Sequence, residues 1–153
     1  MTSTEELDCL LPHRRPMTML AEALPEKEPG TAEAVADTSE RCIFFDPAVD
    51  GVPSCAALEY MAQTMAIAVG RERRRGGKDP AVGFVLGSRR IQVSSDRFRR
   101  GARYVVRARC EYTDGEFASF DCDISGPGGE TVATATLTAY QPSDLGEMEK
   151  AML

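Results

Sequence analysis

The sequence predicts an α+β fold in which one antiparallel sheet wraps around a single long central helix. Three observations carry that expectation. The stretch Pro53 to Arg71, PSCAALEYMAQTMAIAVGR, is apolar on nearly every side, which marks a buried helix. From Pro80 onward only strand-like segments follow, parted by turn residues. Two shorter strand segments precede the helix. A lone apolar helix and an antiparallel sheet bury one another only if the sheet curls around the helix. A length of 153 residues suits one domain over 1–153, with a core of about 10–142, a flexible N-terminal lead and a loose C-terminal tail.

Taken in order, residues 1–10 read as a poorly anchored lead. The run 11–17 (LPHRRPM) holds two prolines within five positions and favours a turn. Thr18 to Ala23 reads as a short strand, PEKEPG as a turn, and Thr31 to Thr38 as its hairpin partner, with Ala32, Ala34 and Ala36 on one face. Arg41 to Gly51 is irregular. Pro53 suits the first helical turn, with Ser54 or Asp50 as cap. The helix runs on to Arg75, its cations at the C-terminal end favoured by the macrodipole, and stops at Gly76 and Gly77. Four strands follow: Val82 to Ser95, with a break at Gly87; Tyr104 to Tyr112; Phe117 to Ile124 after the hairpin signal TDGE; and Thr131 to Tyr140 after GPGG. An open curled sheet leaves edges to protect, so a dimer is expected.

Composition excludes several classes. The five cysteines are scattered, with no C-x-x-C pair, and there is one histidine, so a zinc site is not expected. Free thiols point to a reducing cytoplasm. The chain opens on the polar MTSTEELD, and its longest apolar run is broken by Glu59 and Gln63, so neither a signal segment nor a membrane span is expected. The net charge of −6 conceals an asymmetry: residues 71–109 hold thirteen Lys or Arg against three acids, about +10, leaving about −16 for the rest. That block suggests a basic face for an acidic partner. An acidic chain without aromatic-rich basic motifs does not suit nucleic acid.

The chemical clue lies in the helix. Glu59 and Gln63, one turn apart, are polar groups in an apolar rod. A buried carboxylate is costly unless something pairs with it or uses it. In apolar surroundings a carboxyl group holds its proton to higher pH and serves as a general acid.

Four blocks, LPHRRPM at 11–17, PSCAALEYMAQ at 53–63, GFVLGSRRIQ at 83–92 and DRFRRGARY at 96–104, occur in the order found in beta-hydroxyacyl-acyl-carrier-protein dehydratases. Over residues 10–142 the chain resembles that family, and within it the dehydratase-like proteins of aryl-polyene pigment clusters. The resemblance implies a hot-dog fold, in which the sheet wraps a central helix. It also implies removal of water from a 3-hydroxyacyl thioester to give a trans-2-enoyl thioester. The substrate is then carried on the phosphopantetheine of acyl carrier protein, with no other cofactor. Glu59 matches the family's general acid and Gln63 its amide. Ser54 and Cys55 occupy the helix N-terminal position that polarises the thioester carbonyl, where the family usually has a glycine. Gly87 is a glycine of a bend or of a close approach to ligand. Arg89, Arg90, Arg97, Arg99, Arg100 and Arg103 are either a solvated face or the dock for the acidic carrier and its phosphate.

One departure stands out. The family's catalytic histidine lies fourteen residues before the carboxylate, and here that position is Phe45, which accepts no proton. His13, in the LPHR block, is either a structural histidine or a replacement base. Three functions follow: a dehydratase using Glu59 and another base; a non-catalytic subunit completing the site of a histidine-bearing dehydratase in a heterodimer rather than a homodimer; or an acyl-thioester binding module.

Overall fold

A computed structural model describes residues 3–142. The expected C-terminal tail lies outside the described residues. A first helix α1 (Ser3–Leu10) leads into the hairpin β1 (Leu20–Ala23) and β2 (Thr31–Ala36). The short strand β3 (Gly51–Pro53) and a 3₁₀ turn (Ser54–Ala56) introduce the long helix α2 (Ala57–Arg75). Then come β4 (Phe84–Val93), β5 (Arg97–Arg99), β6 (Val105–Asp114), β7 (Phe117–Ser125) and β8 (Thr131–Tyr140). Six strands form one antiparallel sheet in the order β1-β2-β6-β7-β8-β4. β3 and β5 pair separately as a small ribbon.

The sheet packs on α2 chiefly through β6 and β2, with β7 and β1 completing the wrap. The alternation read along the strands sets the buried side: Ala32 and Ala34 of β2 and Val106 and Ala108 of β6 are sealed, as are Phe120, Ile124 and Leu137 further along the sheet. From α2 they meet Tyr60, Met61, Ile67 and Ala68. This is the predicted hot-dog arrangement, a sheet curled around one helix.

The N-terminal lead departs from expectation. It is a helix, with Leu7 and Leu10 buried, packed on β1 and α2. Gly70 makes the contact possible: a Cβ there would collide with the Leu10 carbonyl. The start of α2 also differs. Pro53 ends β3 rather than opening the helix, and neither Ser54 nor Asp50 caps it; no side chain closes the first turn. The ribbon anchors that end instead. The amide of Ser54 donates to the Asp96 carbonyl at 3.2 Å. Phe98 of β5 stands edge-on between Tyr60 and Tyr104, at 5.2 and 5.0 Å, a favourable geometry for aromatic pairs. The other end stops as predicted: Gly77 takes a left-handed conformation (φ 71°), and the amides of Gly77 and Lys78 close on the carbonyls of Arg74 and Arg73 at 3.0 and 2.9 Å.

Candidate functional site

Gln63 is wholly buried, and its amide is fully used. Its Oε1 accepts the Met19 backbone N–H at 2.8 Å. Its Nε2 donates to the Met17 carbonyl and to Glu59 Oε1, both at 2.9 Å. Because a backbone N–H can only donate and a carbonyl can only accept, this surrounding fixes which end of the amide is oxygen. Oε1 of Glu59 is thereby held as an acceptor, and a proton on this carboxyl belongs on Oε2. The amide also ties the 17–19 segment, and with it the LPHRRPM turn, to α2.

That turn brings His13 to Glu59, Nε2 to Oε1 at 3.7 Å, just outside hydrogen-bond reach. His13 Nδ1 is buried with no partner among the described residues. Burial lowers the imidazole pKa below its ordinary value, only partly opposed by the Glu59 charge. The neutral ring, able to accept a proton, is therefore the favoured form.

Glu59 and His13 lie at one end of an apolar cavity of about 310 Å³. It continues along Ala62, Ala66 and Val69 of α2, between them and Phe84, Ala139 and Tyr140 of the β4–β8 pair. From Glu59 to Val69 the helix rises about 15 Å. Sequence reasoning missed this groove, although the spacing of Ala62, Ala66 and Gly70 by four residues was its signal.

The expectation of a fully enclosed carboxyl is corrected. The Glu59 side chain is 41% exposed, because the α2 stripe of Leu58, Glu59, Ala62, Ala66 and Val69 is the side of the helix the sheet leaves open. Glu59, Gln63 and His13 are brought together. Ser54 and the exposed Cys55 sit just before them, in the 3₁₀ turn. Phe45 is half-buried against the core and does not line the groove. Gly87 lies at a bulge of β4, with nothing within 4 Å of a would-be Cβ.

The single basic face is corrected as well. Arg71 and Arg75 turn to Glu6 and Glu26, and Arg107 to Glu33 and Asp123. Arg100 is held by Asp50 at 2.8 Å and Glu40 at 3.1 Å. Arg89 and Arg90 lie exposed on β4, and Arg99 and Arg103 are exposed around β5; Arg97 is half-buried, its Nε unpartnered among the described residues. All five cysteines are free thiols. No described helix is long and apolar enough to cross a membrane.

Against known proteins, the profile of the ApeP-like family, described as ApeP dehydratase, matches residues 5–150. A search of curated proteins gave no match. Among solved structures, one described as the dehydratase heterocomplex ApeI:P from Xenorhabdus doucetiae is similar, with a TM-score of 0.86, 24% identity, and 95% of this chain and 96% of that chain covered. A homologue of HP0420 from Helicobacter felis gives 0.67 at 11% identity, covering 94% and 92%. A hypothetical thioesterase with coenzyme A from Streptococcus pneumoniae TIGR4 gives 0.60 at 14% identity, covering 81% and 88%. At these identities the structural likenesses show the fold.

Proposed function

The chain belongs to the ApeP-like dehydratase family, and on that premise we propose that it supplies the acid half of a 3-hydroxyacyl-carrier-protein dehydratase whose base comes from a second, histidine-bearing hot-dog chain. The observation that carries this reading is Glu59, oriented by Gln63 at the end of an apolar groove, in a chain with phenylalanine at the usual base position. The partner's histidine takes the proton alpha to the thioester carbonyl. The bond from the beta carbon to its hydroxyl breaks, Glu59 Oε2 gives its proton to the departing oxygen, and water leaves. Charge building on the thioester carbonyl meets the N-terminal end of α2, at the amides near Cys55. The groove holds the acyl chain. Arg99 and Arg103, exposed and unpaired among the described residues, suit the acidic carrier and its phosphopantetheine phosphate. Five free thiols fit a reducing cytoplasm.

The test uses a histidine-bearing dehydratase whose own helix carboxylate has been replaced, so that only Glu59 can complete a site. Mixing it with this chain is expected to restore formation of the enoyl thioester. Glu59→Gln should then lower turnover by about 10²-fold or more, the usual worth of a general acid. A mixture left fully active by Glu59→Gln sinks the proposal. A second reading, His13 as the in-chain base, is favoured by its 3.7 Å approach to Glu59 and its preference for the neutral form. It requires turnover by the isolated chain and loss of that turnover in His13→Asn.

A further inference from the structure

The two ends of the sheet are unlike. β1 is four residues long, with Leu20 and Ala23 buried and α1 packed against it. β4 is ten residues long, and no described strand pairs with its outer edge. Phe84, Val85, Leu86, Ile91 and Val93 are all exposed, although they fall on both faces of the strand. A long apolar edge of this kind pairs with another strand unless something prevents it. Midway along it stand Arg89 and Arg90, exposed and without an ion-pair partner among the described residues. On β8, Arg90 faces the uncharged Thr136, and Arg89 falls in the bulge between Ser88 and Arg90, with no register partner of its own.

From this arrangement we infer that the β4 edge is built to reject a second copy of this chain and to accept a hot-dog strand carrying carboxylates at the matching positions. Two copies of β4 pairing antiparallel are related by a two-fold axis. An axis through Ser88, Arg89 or Arg90 sets arginine directly opposite, or diagonally beside, the arginines of the other copy. Like charges at those cross-strand positions oppose pairing, and opposite charges favour it. The flanking apolar residues supply association without choice of partner, and the two arginines supply the choice. The inference deepens the heterodimer reading by stating what the partner's edge carries.

The experiment needs neither partner nor substrate. The unmodified chain and the double variant Arg89→Glu, Arg90→Glu are measured singly and as an equimolar mixture by native mass spectrometry and sedimentation. Each alone is expected to associate weakly. In the mixture the one-to-one hybrid should form about tenfold more tightly than either self-pair, and added salt should erode that preference. The neutral variant Arg89→Gln, Arg90→Gln, with circular dichroism as a check on folding, should self-associate more tightly than the unmodified chain. Statistical mixing, a tight dimer of the unmodified chain, or no association in any combination overturns the inference. Turnover is not read here, so such a failure is separate from failure of the dehydratase proposal.

Discussion

Burial sets His13 against its own proton. The folded chain holds the imidazole below its ordinary value of 6.5, so around and below that pH the unfolded chain binds the proton more readily. Stability therefore falls as pH drops through 6.5 and toward the folded value. Unfolding midpoints in urea, followed from about pH 8 to pH 5, should show that slope. His13→Asn should flatten it, and a variant with an unchanged slope would remove His13 as its source. At this scale the sequence spoke clearly about Glu59 and Gln63, because one helical turn joins them and the surrounding residues are apolar. It was silent about His13 meeting Glu59. Nothing local in LPHRRPM says which turn of a distant helix it lies against; the bonds that Gln63 makes with Met17 and Met19 help fix that.

At the level of elements, α1 is held by a close backbone approach. Gly70→Val would drive a side chain into the Leu10 carbonyl, and overpacking of this kind costs about 1–3 kcal/mol. The expected outcome is a lowered unfolding midpoint together with faster amide exchange across Ser3–Leu10. Loss of midpoint without loosening of α1 would mean that the strain is absorbed elsewhere. This helix escaped the sequence reading because only Leu7 and Leu10 of its eight residues are buried, too few to set a period. β3 and β5 escaped for a related reason: each spans three residues, and β3 ends in Pro53. The long helix and the six sheet strands were legible because their apolar residues run between clear turn signals, and Thr131 to Tyr140 falls on β8 at both ends.

Over the whole molecule, the open stripe of α2 and the outer edge of β4 are apolar surface that no described element covers. Binding to the folded state alone stabilises it by mass action, about 2.7 kcal/mol at a hundredfold excess over Kd. With a histidine-bearing partner in that excess, the melting temperature should rise by roughly 5–10 °C, given about 2–4 °C per kcal/mol for a domain of this size. No rise at saturating partner would deny that these surfaces are an interface. The charge block at 71–109 misled at this scale. Residues adjacent in sequence are dealt out to the end of α2, the β4 edge and β6, and β7 and β8 separate the last two.

The strand order also carries a temporal consequence. β4 follows α2 in the chain but hydrogen-bonds to β8, the last strand. As the polypeptide emerges from the ribosome, β4 has no sheet to join until β8 has been made. Its apolar residues wait through the synthesis of β5, β6 and β7, and this contact of high sequence separation is among the slow steps of folding. The edge that chooses a partner is therefore the last part of the sheet to exist, and recognition begins only after the chain is complete through Tyr140.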